Sequence, residues 1–268
     1  MTKLIYVGGY GHSGSTLLEY LMTGVPTLVA CGEVADTTRP DAAWRTCTCG
    51  QPTAACPIWS FIADPTFDPA QYDHEALDEL LMQRAAADYA AMVDSTKTAW
   101  RASTAPFTMR RKLGAAFHLV HIVRDPRAVC WSLLKRDKRV GETSNGRLLV
   151  IKTLLGWHYA NLACELFARR YPNEYTRLRY EDLCSQPVVS MTNLMIKLLP
   201  SERWSFEAIG AQDNRHQLYA NRMRADALLL ESIELDDAWR GEMPDRVRRI
   251  VQALSAPLNL RYGYEAFE

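Results

Sequence analysis

The sequence predicts an α/β protein in which helices flank a central, mostly parallel sheet in three layers. The first observation is an apolar run from Leu4 to Val7, typical of a buried strand, which leads through a glycine-rich segment into a helical pattern starting at Thr16. The second is that later short apolar runs also end in polar residues and alternate with helical segments. A strand, a glycine-rich loop and a helix in this order make the fold P-loop-like.

Length and composition set the class of protein. The chain has 268 residues, of which 48% are hydrophobic and 23% are charged, as in an ordinary soluble globular protein. No linker or low-complexity segment divides it, so we expect a single domain over residues 1–268. Lysine and arginine together number 31, as do aspartate and glutamate, so no overall charge favours a nucleic-acid partner or an anionic membrane.

The ends of the chain and its apolar runs bear on localisation. The N-terminus lacks the pattern of an export signal, and no apolar run approaches the roughly 18 residues that a membrane helix needs. We therefore expect a cytoplasmic protein with no membrane partner. The oligomeric state is not predicted.

The loop after the first strand has the features of an anion site. Its glycines (Gly8, Gly9, Gly11 and Gly14) let the backbone approach an anion, and the first amides of the following helix point at it. Hydroxyl donors come from Ser13, Ser15 and Thr16. The loop therefore predicts a bound phosphate or sulfate ester, with a plain strand-to-helix connection as the alternative.

The same loop argues against an ordinary ATPase. Gly9 and Gly14 have the spacing of G-x-x-x-x-G-K-[ST], but Ser15 occupies the position of the lysine.

Glu33 and Lys97 each follow a short apolar run that is typical of a strand. Because the carboxyl ends of parallel strands meet at one edge of a sheet, both side chains are candidates for a place beside the phosphate loop. The lysine ammonium could meet an anion held there. A solvent-exposed position is the alternative for both residues.

Arg124 follows a third apolar run, residues 118–123, which predicts a buried strand. A guanidinium can bind a phosphate through two parallel hydrogen bonds. Ser132 lies eight residues further on, in the second turn of a predicted helix, and we expect it to reach the same anion.

Other patterns complete the expected fold. Residues 175–182 read as a strand in which Tyr180 either stacks on a base or packs in the core. Further helices are predicted over residues 74–92, 148–169, 188–199 and 245–254.

Cys47, Cys49 and Cys56 lie close together in the irregular segment 36–72. Such a group binds zinc if a fourth ligand comes near. Two residues are candidates for that ligand: Cys31 and His74. Since neither is clearly placed, buried packing or an occasional disulfide is favoured and no metal is predicted.

A local basic cluster is expected in the loop-like segment RHQLYANRMR. It contains Arg215, His216, Arg222 and Arg224.

Five segments in this order resemble the sulfotransferase family that uses 3′-phosphoadenosine 5′-phosphosulfate (PAPS): GYGHSGSTLL, CGE, DSTK, HIVRDPRAVCWS and RYEDL. The CGE segment is similar to that of the tyrosylprotein sulfotransferases. The C-x-C-G and C-P-x-W segments, RHQLYANRMR and the closing RYGYE are similar to the bacterial branch of the family.

The resemblance implies how the donor is bound. The loop residues would cradle the 5′-phosphosulfate: Gly11, His12, Ser13, Gly14, Ser15 and Thr16. Arg124 and Ser132 would hold the 3′-phosphate, and Tyr180 would lie near the adenine. Arg222 or Arg224 would close a basic loop over the 3′-phosphate, and the product would be adenosine 3′,5′-bisphosphate (PAP).

The resemblance also implies the chemistry, an in-line transfer to a hydroxyl of a small-molecule acceptor. Glu33 would take the proton from the acceptor, and Lys97 would steady the sulfuryl group or the leaving phosphate. His12 stands where the family usually has arginine or lysine, so its assistance to the leaving group would require a protonated imidazole. We expect residues 36–72 and 139–150 to form the acceptor pocket and its lid, because long loops of irregular composition often do so.

Two other functions stay open from the residues. A kinase for a small alcohol or a nucleotide needs a similar phosphate loop, although Ser15 replaces its lysine. The other is a non-catalytic nucleotide-binding module, in which His12 and Glu33 would have no catalytic role.

Overall fold

A computed structural model describes residues 2–39, 41–99, 102–139, 146–210, 213–219 and 233–264. Its centre is a five-stranded sheet in the order β2-β3-β1-β4-β5, with every neighbouring pair parallel. The strands are β1 (Lys3–Gly8), β2 (Leu28–Ala30), β3 (Ala91–Asp94), β4 (Phe117–Val123) and β5 (Tyr175–Arg179). The predicted fold class is confirmed.

Strand β1 shows why this segment lies at the centre of the sheet. Its residues alternate between the two faces, since Leu4 and Tyr6 pack in one buried cluster while Ile5 and Val7 pack in the other. Both faces of a parallel sheet are covered by helices, so its strands are apolar on both sides. The apolar run that predicts a strand is the consequence.

Helices cover both faces of the sheet. The helices of the described residues are α1 (Ser15–Met22), α2 (His74–Ala85), α3 (Ala105–Leu113), α4 (Pro126–Arg139), α5 (Gly146–Arg170), α6 (Tyr180–Ser185), α7 (Pro187–Leu198), α8 (Trp239–Glu242), α9 (Asp245–Ser255) and α10 (Leu258–Arg261). Among the described residues, no helix combines the length and the apolar composition that a bilayer crossing requires.

Two predicted elements have different ends from those expected. The helix predicted over residues 74–92 stops at Ala85, because Ala91–Asp94 pairs with both β1 and β2 as a fully buried strand. Burial in the sheet here outweighs the helix propensity of the alanines.

The strand predicted over residues 175–182 ends at Arg179, so that prediction is wrong for its last residues. Tyr180 begins α6, and the acidic Glu181 and Asp182 occupy its first turn, where a helix favours negative charge.

The described residues between β2 and α2 contain neither a strand nor an α-helix, as predicted. They form short 3₁₀ turns, which are Val34–Thr38, Ala42–Trp44, Thr53–Ala55, Ser60–Ala63 and Pro69–Gln71.

Candidate active site

The polar residues that the sequence singles out meet at the carboxyl edge of the sheet. Strand β1 ends at the glycine-rich loop, and β4 ends immediately before Arg124. Glu33 follows β2, and Lys97 follows β3. Ligands of open α/β sheets bind beyond this edge, so the topology supports a common site for all four features.

The glycine-rich loop has the backbone of an anion cradle. Gly14, with φ of 90°, caps α1 in the left-handed conformation, and a Cβ there would collide with the ring of Tyr180. Ser13 Oγ is buried and has no hydrogen-bond partner among the described residues. Since buried hydroxyls normally have a partner, this group fits an anionic ligand.

His12 connects the loop to β4 and α4. Its Nδ1 lies 2.9 Å from Ser132 Oγ, and its carbonyl oxygen accepts a hydrogen bond of 3.0 Å from Arg124 Nη1. Its φ of 65° is left-handed, which costs a residue with a Cβ about 1 kcal/mol or more and recurs at functional sites. The expected proximity of Arg124, Ser132 and the loop is therefore present.

The Arg124 guanidinium is almost fully buried and has a partner that the sequence did not predict. Its Nη2 donates to Asp236 at 2.8 Å (backbone oxygen) and 3.0 Å (Oδ2). Its carbon lies 4.2 Å from the centre of the Tyr180 ring. Burial acts to raise the pKa of Asp236, but the hydrogen bond and charge of Arg124 lower it below its ordinary value.

Tyr180 joins the loop to the arginine. Its ring, only 8% exposed, contacts Gly14 and lies beside Arg124. The contact of Tyr180 with an adenine stays a prediction.

Glu33 and Lys97 form an ion pair at the same edge. Lys97 Nζ lies 2.6 Å from Glu33 Oε1, and the two side chains are 12% and 26% exposed. Lys97 has a left-handed φ of 76°, and its carbonyl oxygen accepts a hydrogen bond of 2.5 Å from the Tyr6 hydroxyl. A base and a cation are thus side by side and in reach of solvent.

A buried carboxylate, Glu19 of α1, supports the backbone on both sides of this pair. It accepts hydrogen bonds of 2.7 Å from the Gly32 amide and the Ser95 hydroxyl. Burial raises the pKa of Glu19 to about 7, although these hydrogen bonds oppose the shift. Sequence reasoning missed Glu19, and the signal was an acid within the otherwise apolar pattern of α1.

Asp94, at the end of β3, is the second buried carboxylate that holds the pair. Its Oδ1 accepts from the Val34 amide at 3.3 Å and from the Thr96 amide at 2.8 Å. His74 Nε2 lies 2.6 Å from Asp94 Oδ2. Asp94 therefore fixes the backbone that follows Glu33 and the backbone that precedes Lys97.

Thr98 connects Lys97 to the glycine-rich loop. Its amide donates to the Gly9 carbonyl at 3.2 Å, and the Gly9 amide donates to Thr98 Oγ1 at 3.0 Å. The ion pair and the glycine-rich loop are thus joined by backbone hydrogen bonds.

The remaining predicted site residues are in the glycine-rich loop, at the start of α1 or outside the described residues. Ser15 and Thr16 begin α1, and a Cβ at Gly11 would have open space around it. Arg222 and Arg224 lie outside the described residues, as do residues 140–145 of the expected lid.

Of the four residues of the predicted basic cluster, only Arg215 and His216 lie among the described residues, so the cluster stays a prediction. Arg215 lies over the ring of Tyr20, and His216 is only 1% exposed. His216 instead faces the thiols of Cys47 and Cys56. Tertiary packing buries His216, and the basic sequence around it does not predict this burial.

Several solved structures share the fold. The sulfotransferase domain from the curacin biosynthetic pathway aligns with a TM-score of 0.62 and 17% identity, over 99% of both chains. The sulfotransferase domain of the Synechococcus PCC 7002 olefin synthase aligns with a TM-score of 0.59 and 18% identity, over 99% of this chain and 95% of that one. Mouse sulfotransferase SULT7A1, solved with PAP, aligns with a TM-score of 0.54 and 13% identity, over 94% of this chain and 82% of that one.

No curated protein matches the sequence significantly. A family model does match, over residues 5–198, and its description is "Sulfotransferase family". These residues include the glycine-rich loop, Glu33, Lys97, Arg124, Ser132 and Tyr180. The chain therefore belongs to the sulfotransferase family.

Proposed function

We propose that the chain transfers a sulfuryl group from PAPS to a hydroxyl of a small-molecule acceptor, with Glu33 as the general base. The observation that carries the proposal is the position of His12, which contacts both Arg124 and Ser132 from within the anion-binding loop. PAPS has two separate anionic ends, and this contact joins a candidate site for each of them.

The residues at the loop fit such a donor. The unpartnered Ser13 hydroxyl, the Ser15 and Thr16 hydroxyls and the N-terminus of α1 would bind the 5′-phosphosulfate. Arg124, whose buried Nε has no hydrogen-bond partner among the described residues, would bind the 3′-phosphate together with Ser132. When bound, the donor supplies the activated sulfuryl group.

Glu33 and Lys97 would act on opposite partners of the reaction. Glu33 would accept the proton of the acceptor hydroxyl as the attack proceeds. Lys97 would leave Glu33 and neutralise charge that develops on the transferring oxygens, as cations do in the related phosphoryl transfers. His12 in its protonated form would stabilise the leaving phosphate.

A kinase is less well supported. Besides the missing lysine at Ser15, the carboxylate at the end of β3 does not suit a magnesium ion that faces the loop. Asp94 is fully buried, and its oxygens already bind Val34, Thr96 and His74.

Calorimetry with PAP, ADP and ATP tests the proposal. We expect PAP to bind most tightly, because ADP and ATP lack the 3′-phosphate. Arg124→Ala should weaken the binding of PAP at least tenfold. Arg169→Ala, at an exposed position near the end of α5, should leave it unchanged. Tight binding of ATP with indifference to PAP would contradict the proposal. Transfer from labelled PAPS to a panel of hydroxylated compounds would then identify the acceptor.

A further inference from the structure

A compact group of four sulfur and nitrogen ligands lies outside the site described above. Cys47, Cys49, Cys56 and His216 place one ligand atom each within 4.8 Å of one another. The cluster is interior, since Cys47, Cys56 and His216 are at most 2% exposed. Its histidine comes from a segment some 160 residues beyond Cys56.

The three distances among Cys47, Cys56 and His216 match the edges of a zinc tetrahedron. With Zn–S bonds near 2.3 Å and Zn–N bonds near 2.05 Å, the edges of a tetrahedron are about 3.8 Å for S···S and about 3.6 Å for S···N. The observed separations are 3.6 Å between Cys47 Sγ and Cys56 Sγ, and 3.9 and 3.3 Å from these sulfurs to His216 Nδ1.

The histidine has the tautomer that a metal requires. His216 Nε2 lies 3.2 Å from the backbone oxygen of Asp213, which can only accept a hydrogen bond. Nε2 must therefore carry the proton, and Nδ1 presents its lone pair to the thiols. A second ring nitrogen bonded to a backbone carbonyl is the usual support of a metal-binding histidine.

Backbone amides support the sulfurs in the same way. The backbone amides of Ile58 and Trp59 act electrostatically on Cys56 Sγ, and the amide of Cys49 acts in the same way on Cys47 Sγ. Such donors stabilise sulfur with thiolate character, the form that binds a metal. All seven cysteines of the chain are described, and none is in a disulfide.

We propose that Cys47, Cys49, Cys56 and His216 bind a structural zinc ion. Four protein ligands close the coordination sphere, as in structural rather than catalytic zinc sites. The sequence pattern singles out the three cysteines, but its candidates for the fourth ligand are Cys31 and His74, whereas the structure places His216 beside the thiols.

The ion would fasten the irregular segment after β2 to the edge of the sheet. His216 and Ala30 share this edge, since the His216 amide donates to the Ala30 carbonyl at 2.8 Å. Three residues further on, the Tyr219 carbonyl accepts from the Glu33 amide at 3.1 Å. Zinc binding would therefore stabilise the backbone that carries Glu33, and metal binding of this kind adds directly to folding stability.

Metal analysis of the full-length chain tests the proposal. After loading with zinc under reducing conditions and desalting, we expect about one zinc per chain. Cobalt should give the intense visible bands of a tetrahedral thiolate site, and a strong chelator should lower the melting temperature. Because these readouts do not involve sulfuryl transfer, they are independent of the proposed function.

Substitutions assign the ligands. Cys49→Ser, at a half-buried position where folding should tolerate the change, should weaken zinc binding at least tenfold, and Cys56→Ser should abolish it. Cys130→Ser, a buried cysteine of α4 outside the cluster, should retain the metal. Loaded wild-type protein without retained zinc, a disulfide between Cys47 and Cys56 in the isolated chain, or equal zinc affinity in Cys49→Ser would each overturn the proposal.

Discussion

Lys97 Nζ lies 2.6 Å from Glu33 Oε1, although the two residues follow different strands of the sheet. The backbone on both sides is held by buried carboxylates, Glu19 and Asp94. Such support keeps the pair in one geometry, which a catalytic group needs and a surface ion pair lacks. Substitutions in this pair therefore test the proposed function most directly.

Glu33→Gln should lower sulfuryl transfer by about 10²- to 10⁴-fold, the usual contribution of a general base. The affinity for PAP should stay nearly unchanged, because Glu33 acts on the acceptor. Labelled PAPS measures the transfer and calorimetry measures the affinity. Glu207→Gln, an exposed carboxylate, is the control. Wild-type turnover in Glu33→Gln would remove this residue from the mechanism.

Asp236→Asn should strengthen PAP binding by up to about tenfold. The carboxylate of Asp236 occupies Arg124 Nη2 and carries the same charge as a 3′-phosphate, so it opposes binding of that phosphate. Calorimetry with PAP and ADP separates this effect from others, because ADP has no 3′-phosphate. An equal change in affinity for both nucleotides would show that Asp236 does not act through the 3′-phosphate.

His12 should make the activity depend on pH more steeply than an arginine would. Histidine ordinarily loses its proton near pH 6.5, whereas arginine stays charged. If His12 assists the leaving group as a cation, activity should fall as the pH rises through this range. His12→Arg, which also has a Cβ at the strained position, should extend activity to higher pH. Superimposable pH–rate profiles for the two proteins would contradict the assignment.

The parts of the site that could be predicted from the sequence are those whose signals are local. The β1–loop–α1 unit is contiguous, and an apolar run directly before Arg124 is enough to put that residue at the end of a strand. Because every strand is parallel, these ends meet at one edge without further information.

The missed residues act through contacts between distant segments. Arg124 and Asp236 are 112 residues apart, and no periodicity relates them. His216 belongs to a segment rich in arginine, and the composition of that segment suggests a basic cluster at the surface. Packing against Cys56 buries His216 instead. Glu19 is close in sequence, but its role depends on backbone amides and hydroxyls that only the fold brings to it.

The contact between His74 and Asp94 should make the stability of the fold depend on pH. Burial alone would lower the pKa of His74, but the charges of Asp94 and Asp78 raise it to about 9. A pKa raised above its unfolded value contributes stability that is complete below about pH 6.5 and is lost as the pH rises through about 9. The full shift corresponds to about 3 kcal/mol of unfolding free energy.

His74→Gln keeps a donor near the position of Nε2 but cannot be protonated in this range. We therefore expect it to be less stable than the wild type at pH 6, with a difference that shrinks towards pH 9.5. Urea unfolding of both proteins across this range measures the difference, and other titrating groups cancel because both proteins contain them. Parallel stability curves would show that His74 is not charged in the folded protein, and Asp94 would then bind the loop of Lys97 without the help of an ion pair.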